Sequence, residues 1–372
     1  RLAAAGQRVL AVADGDGPEE RALTLRGLIG IADPPRAAAI DAIRRAREAG
    51  VRLFMLTGDQ RATALAIARE LELAPPGEDV SAYVRARVTA AEKDAIVGEL
   101  QARGEIVAMT GDGVNDAPAI RRADIGVAMG AGATEVTREV SDMVLTNDDL
   151  GGVVVAIREG RVIYENIQKT IVYLLSGNLS ELMLMLAAAA IGLPLPLLPL
   201  HLLWINLLNE PLPAIALVLD PPARDVLERP PRAPGEPMLG RGPWAEILAI
   251  ASLHAVVALA VYWWALAARG VDVARALAFS TIVFGVLLRS LGARSRSRPL
   301  GLRGLLENRW LLGVVGLSIA LQLGIHYLPP TRALLRLDGA PARDLLLVLA
   351  LGLVPLVAVE LYKLARARVA GR

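Results

Sequence analysis

The rhythm of polar and apolar positions changes near residue 160. Before it, short apolar runs alternate with charged segments whose apolar residues recur every three to four positions. After it, apolar runs of about twenty residues follow one another with few charges. In the first part, "RVLAVA" (8–13) and "LTLRGLIGIADPP" (23–35) predict strands, the second stopped by Pro34 and Pro35. "PRAAAIDAIRRAREAG" (35–50) predicts an amphipathic helix closed by Gly50. "VRLFMLTGD" (51–59) and "GEIVAM" (104–109) predict buried strands, each running into a glycine turn. Helices are predicted over "QRATALAIARELEL" (60–73), over "TAAEKDAIVGELQARG" (89–104) with Thr89 as N-cap, and around "APAIRRA" (117–123). "DIGVAMG" and "DMVLTN" complete the alternation. Strands alternating with helices imply right-handed crossovers and an α/β fold with a doubly wound parallel sheet. Ligands in such folds sit at the C-terminal ends of the strands, where "LTGD" and "MTGDGVND" lie.

The second part predicts six membrane helices, roughly 165–191, 197–219, 243–267, 273–291, 309–328 and 343–363. No Gly or Pro interrupts the first between Arg161 and Ser176, so its helix is expected to begin near Val153. Some 40 residues would make a rod of roughly 60 Å, able to carry motion from a soluble domain to the bilayer. With residues 1–160 cytoplasmic, an even number of spans returns the C-terminus to the same side. The cytoplasmic segments then hold Arg224, Arg241, Arg289, Arg294, Arg296, Arg298, Arg303, Arg309, Lys363, Arg366, Arg368 and Arg372, among others. The outer loops hold only Arg269, Arg275, Arg332, Arg336 and Arg343. This bias follows the positive-inside rule. "RSRSRP" (294–299) is expected to be a solvated loop that touches anionic lipid, and Trp263 and Trp264 to lie in an interface belt.

The chain is 54% hydrophobic, has a net charge of +2 and contains no cysteine. That charge and the lack of aromatic–basic interleaving leave no nucleic-acid footprint. Without cysteine there is no disulfide and no soft thiolate path for a metal. The chemistry gathers in two places. In "MTGDGVNDAPAI" (109–120), Asp112 and Asp116 on a glycine turn suit Mg²⁺, a hard cation that wants oxygen. On the neighbouring strand end, Thr57 and Gly58 offer a hydroxyl and backbone N–H groups to phosphate oxygens. The only lysines are Lys93, Lys169 and Lys363, and Lys93 has the compact ammonium that would neutralise a phosphoryl group.

The other place is in the membrane. Asn178 and Glu181 stand at i and i+3 on the first span, and Asn206, Asn209 and Glu210 precede Pro211 and Pro213 on the second. Prolines free backbone carbonyls, so an unwound segment here would complete an all-oxygen cation site. The alternative is interhelical hydrogen bonding. His201, His254 and His326 occur singly and are expected to be interfacial or packing residues.

"LTGDQ", "RVTAAEK", "TGDGVNDAPAI", "ADIGVAMG", "DPPR" (33–36) and "LDPPARDVLERPPR" (219–232) resemble P-type cation-transporting ATPases, a branch of the haloacid dehalogenase superfamily, nearest its calcium pumps. The resemblance covers essentially the whole chain. It implies ATP and Mg²⁺ as cofactors, an aspartyl-phosphate intermediate and export of Ca²⁺ or another hard cation. By it, Asp112 is the Mg²⁺ ligand, supported by Asp116 and Asn115. Thr57, Gly58 and Asp59 belong to the phosphoryl site with Lys93, and Arg8 contacts nucleotide. Asn178, Glu181 and Asn206 match ion ligands, while Asn209-Glu210-Pro211 stands where that pattern has Thr-Asp-Gly. Gly285 and Val286 stand where some calcium pumps place a further ligand, so one ion is expected, and Mg²⁺, Mn²⁺, Na⁺ or H⁺ stay open as cargo. The implied domains are a nucleotide-domain remnant at 1–25, a phosphorylation domain at 26–155 and a transmembrane domain at 156–372. No Asp-Lys-Thr-Gly occurs in the sequence. The chain therefore reads as the C-terminal portion of a multi-pass bacterial plasma-membrane pump, whose N-terminal remainder would be a required partner alongside ATP, the cation and lipid. A membrane-anchored phosphatase of the same superfamily and a non-catalytic fragment are the rival readings.

Overall fold

A computed structural model describes residues 2, 7–15, 23–31, 35–130, 132–147, 149–222, 226–296, 299–337 and 340–370. Asp33, Pro34, Arg224, Arg298 and Arg372 lie outside these residues, as do the side chains of Arg8 and Arg303. The chain divides into two compact units: Arg1–Gly160 with Arg224–Glu236, and Arg161–Ala223 with Pro237–Arg372.

The first unit opens with β1 (Arg8–Asp14) and β2 (Thr24–Ile31), paired antiparallel. Only residues 15–23 join them, too few for the crossover helix that parallel pairing needs. The expected all-parallel sheet therefore begins later. α1 (Ala37–Glu48), β3 (Met55–Thr57), α2 (Arg61–Glu70) and β4 (Val84–Ala86) follow, with β3 and β4 parallel. Next come α3 (Ala90–Ala102), β5 (Ala108–Gly111), α4 (Ala117–Arg122), β6 (Ile125–Ala128), α5 (Glu135–Val140) and β7 (Met143–Val144). The last three strands form one parallel ladder in the order β5-β6-β7.

Two of the predicted buried strands are shorter and less covered than their sequence implies. β3 keeps only three residues and is half-buried, since it has a ladder partner on one side alone. Phe54 just before it stays exposed, stacked on Tyr83 at 5.6 Å. In the other, Ile106 is exposed and pairing starts at Ala108. The two parallel ladders are nonetheless packed together. Leu56 of β3 joins the cluster of Val97, Met109, Ala119 and Ile120, which binds β5 to α3 and α4.

The second unit is helical. α6 (Gly151–Ala190) runs unbroken for 40 residues, in agreement with the start predicted near Val153, and its first ten residues belong to the first unit. α7 (Pro199–Trp204) continues through a π turn at Ile205–Asn209 into α8 (Pro211–Val218). α9 (Arg241–Arg269), α10 (Val271–Gly292), α11 (Leu302–Glu307), α12 (Arg309–Gly324), α13 (Pro329–Leu335), α14 (Ala342–Leu351) and α15 (Leu353–Ala370) complete it. Among the described residues five helical stretches are long and apolar enough to cross a membrane, or six if the α12–α13 pair, bent by 85°, counts as one. The bend falls where Pro329 and Pro330 follow Gly324, so the fifth predicted span is not straight to 328. α10 is the central helix. Phe279, Val283, Phe284 and Val286 are all but fully buried among residues of α6, α8, α9, α12 and α14. Trp263, Trp264 and Trp310 remain exposed, as an interface belt requires.

Candidate functional site

The first site is built by two capped helices and two strand ends. Thr89 caps α3: its hydroxyl accepts from the Glu92 N–H at 3.3 Å, and the Glu92 carboxylate accepts from the Thr89 N–H at 2.7 Å. This capping box fixes the first turn, from which Lys93 extends to Asp116, with Nζ–Oδ1 at 2.6 Å. Both side chains are only 14% exposed, so the pair is partly shielded from water. Asp116 reaches this place because position 111 is glycine. A Cβ there would lie 2.6 Å from the Asp116 Cβ. Thr57 and Asp59 form a small turn of their own, the Asp59 N–H and carboxylate both meeting Thr57 Oγ1 at 3.1 Å. The Thr57 and Asp59 carbonyls are tied to the segment after β4 by the Val88 and Arg87 N–H groups.

Asp112, Asn115, Gly58 and Asp59 are exposed, each just beyond the C-terminal end of its strand. The Asp112 carbonyl accepts from the Thr134 N–H at 3.0 Å, which steadies the backbone while its carboxylate faces outward. The structure thus joins Lys93 to Asp116 directly, a pairing that sequence spacing alone did not reveal. The exposed Asp112 carboxylate and the half-buried Asp116 carboxylate are hard oxygen donors, the kind that Mg²⁺ accepts. Among the described residues no group of three or more His, Cys, Asp or Glu is arranged to hold a metal ion by itself.

The capping box also titrates. The Thr89 N–H and then its hydroxyl hold the Glu92 carboxyl below the ordinary carboxylate range. A depressed folded value contributes stability above the unfolded value of about 4.3 and loses it as pH falls through the folded one. Glu92→Gln is therefore expected to lose less α3 protection between pH 6 and pH 3 than the parent does. Amide hydrogen exchange across residues 90–102 reads this, and identical acid sensitivity in both proteins would refute it.

The second site lies in the helical unit. Glu210, at the junction of the π turn and α8, is 1% exposed, and Glu181 on α6 is 4% exposed. The Asn206 amide donates to Glu181 Oε2 at 3.3 Å, and the Asn178 amide donates to Glu210 Oε2 at 3.4 Å. One oxygen of each carboxylate, Glu181 Oε1 and Glu210 Oε1, has no hydrogen-bond partner, and neither has the Asn209 amide nitrogen. Buried carboxylate oxygens left unpaired are costly. Gly177 makes the space: a Cβ there would stand 2.0 Å from Glu210 Oε1. The expected unwinding does not occur. Residues 199–218 stay helical, and the Glu210 N–H reaches back to the Ile205 carbonyl at 2.9 Å across the π turn. Pro211 and Pro213 still remove two N–H donors, leaving carbonyls of the preceding turn without their usual partners.

Several charges are placed otherwise than the sequence implied. Arg289 and Lys363, grouped above with the cytoplasmic charges, are buried inside the unit. Lys363 donates to the Gly292 carbonyl and to Glu360, both at 2.7 Å. Arg294 is no solvated loop residue. Its Nε meets Asp220 Oδ1 at 2.7 Å, and Asp220 also binds Asn308 at 2.9 Å and Lys169 at 3.4 Å. Asp220 escaped sequence reasoning because "LDPP" reads as a helix end. The histidines are buried, in keeping with the packing role expected of them. The His201 ring accepts from the Leu198 N–H at Nδ1 and donates from Nε2 to the Leu335 carbonyl at 2.7 Å, which makes it a neutral structural residue. His326 meets Ser280 at 2.8 Å.

Comparison with known proteins agrees with this arrangement. The haloacid dehalogenase-like hydrolase family matches residues 3–124 and 93–157, and the family described as "Cation transporting ATPase, C-terminus" matches residues 194–365. A calcium-transporting ATPase of Bacillus subtilis is 40% identical over 90% of this chain and 40% of its own length. The mouse calcium-transporting ATPase type 2C member 2 is 37% identical over 98% of this chain and 41% of its own. A probable cation-transporting ATPase F of Mycobacterium tuberculosis is 39% identical over 88% of this chain and 40% of its own. The chain spans about two fifths of the length of these curated relatives.

Proposed function

As a chain that belongs to the P-type cation-transporting ATPases and matches their C-terminal portion, this protein, we propose, supplies the Mg²⁺-binding half of a phosphoryl site and the cation path of an ATP-driven pump. One observation supports the cation path above all: two buried carboxylates, Glu181 and Glu210, each keep an unpaired oxygen beside side-chain amides. In a bilayer such groups are costly unless a cation balances them or a proton neutralises them, which suits a site that takes up and releases a cation. The cargo is a hard cation, since every donor is oxygen, and Ca²⁺ tolerates the irregular geometry best. One ion per chain is expected, because Val286 on α10 offers no ligand. The soluble unit faces the cytoplasm in this reading, and lipid surrounds the exposed apolar faces of the spans.

At the soluble site, Asp112 with Asp116 would hold Mg²⁺, which neutralises charge on a transferring phosphoryl group. Thr57 and the Gly58 N–H orient phosphoryl oxygens. Lys93 holds Asp116 in place and adds positive charge beside it. The nucleophilic aspartate comes from outside this sequence, which has no Asp-Lys-Thr-Gly. Incubated alone with labelled ATP and Mg²⁺, the chain is expected to form no acid-stable phosphoenzyme. Covalent label after an acid quench would overturn that division of labour.

The cation path is tested by binding, which needs no turnover. The purified chain in lipid nanodiscs is titrated with Ca²⁺, Mn²⁺, Na⁺, Cu⁺ and Zn²⁺. Saturable binding of about one Ca²⁺ or Mn²⁺ per chain is the expected result. Binding of Cu⁺ or Zn²⁺ alone would sink the assignment.

A further inference from the structure

Arg289 is the largest feature of the helical unit that the cation path does not use. It lies on α10 and is 2% exposed, where an arginine is costly. Its Nη2 donates to the Tyr173 carbonyl at 2.7 Å, and its guanidinium carbon stands 4.8 Å from the centre of the Tyr173 ring. Two further donors nearby have nothing to bind: Arg289 Nε and the Tyr173 hydroxyl, the latter on a residue with no exposure at all. His254 of α9 closes the far wall. Both its ring nitrogens are unpartnered, and it packs against Gly285, one turn before Arg289 on the same face of α10.

Tyr173 and Gly177 are likewise one turn apart, on one face of α6. Glu210 Oε1 fills the space that a side chain at 177 would take, again without a partner. So the unpaired Glu210 oxygen and Arg289, with its unpaired Nε, both lie against the 173–177 turn of α6, the turn that carries the Tyr173 side chain. Arg289 reaches the Tyr173 carbonyl, one helical turn before Gly177, the residue against which Glu210 Oε1 lies. Neither donor has reached the oxygen, yet no side chain at 177 stands between them. Unpaired buried groups of complementary kind this close imply a second arrangement in which they meet.

We propose that Arg289 and Tyr173 form a resting seat for the Glu210 carboxylate, occupied when no cation is bound and vacated when Glu210 turns to a cation shared with Glu181. This rests on the cation-path reading above. The seat makes Arg289 and Tyr173 positioning residues that compete with the cargo for one carboxylate. The apparent affinity for the cation is then reduced by the fraction of molecules in which Glu210 is seated. The arrangement also keeps Glu210 paired after the ion leaves.

The test is Ca²⁺ binding to the full chain in nanodiscs, for the parent and for Arg289→Gln, Arg289→Lys and Tyr173→Phe. Removing the seat is expected to tighten binding, by about ten-fold for Arg289→Gln and less for Tyr173→Phe, with the number of sites unchanged. Arg289→Lys, which keeps a cationic donor, should stay near the parent. In a Glu210→Asp background, whose shorter side chain does not reach the seat, Tyr173→Phe should have no effect on Ca²⁺ affinity. A merely structural role would weaken binding or leave it unchanged, and either result for Tyr173→Phe overturns the proposal. That variant decides alone if Arg289→Gln does not fold. If the parent itself binds no hard cation, the cation-path reading fails instead.

Discussion

Replacing Glu210 by glutamine is expected to cost the chain at least ~100-fold in Ca²⁺ affinity, about 2.7 kcal/mol. Glu210 contributes half of the site's formal negative charge, and the affinity of a calcium site follows its ligand charge count. The substitution keeps size and polarity, and the Asn178 amide that meets Glu210 Oε2 at 3.4 Å can still find an oxygen. The fold should therefore survive, which separates loss of ligand from loss of structure. Glu181→Gln should act in the same direction, because it too is buried with one unpaired oxygen. Equilibrium binding of radioactive Ca²⁺, with thermal unfolding measured alongside, decides it. Unaltered binding by Glu210→Gln would remove this residue from the cation path.

The second large effect concerns stability. Asp220 has a side chain only 3% exposed and ties Arg294, Lys169 and Asn308 together, joining the middle of α6 to the ends of α8, α10 and α12. Its carbonyl also accepts from the Asn166 amide at 2.8 Å. Asp220→Ala leaves Lys169 without its carboxylate and Arg294 with only the more distant Glu307 at 3.7 Å, both cations being 10% exposed. Removing one partner of a buried ion pair costs about 3–5 kcal/mol, since the remaining charge is stranded. A fall of ~10 °C in the unfolding midpoint is expected, with Asp220→Asn intermediate because it keeps the contact to Asn308. A midpoint unchanged by Asp220→Ala would show that the cluster is solvated in the native membrane protein.

Much of the candidate chemistry was legible in order along the chain. Period and composition locate the division near residue 160, the long α6 helix and the Thr89 cap, because these depend on local propensity and on runs of like residues. The glycine turns after β3 and β5 announce their strand-end carboxylates for the same reason. Local sequence also points to Glu181 and Glu210, since a carboxylate within an apolar run is conspicuous without any knowledge of its neighbours.

Partners were decided only in three dimensions. The contact of Lys93 with Asp116 joins residues 23 positions apart, and those of Arg294 with Asp220 and Arg289 with Tyr173 span 74 and 116. An arginine near the end of an apolar run reads as a snorkelling cytoplasmic charge. Whether it turns inward depends on which helix face meets a neighbour, and that is set by the packing of α10 among α6, α8, α9 and α12. The same holds for the prolines at 211 and 213. They predict a break, but the helix absorbs the lost donors with a π turn, because the surrounding helices hold its two halves in line. Sequence alone determines where charged and helix-breaking residues fall along the chain. The tertiary structure decides which of them are paired, because burial makes an unpaired polar group too costly to leave to chance.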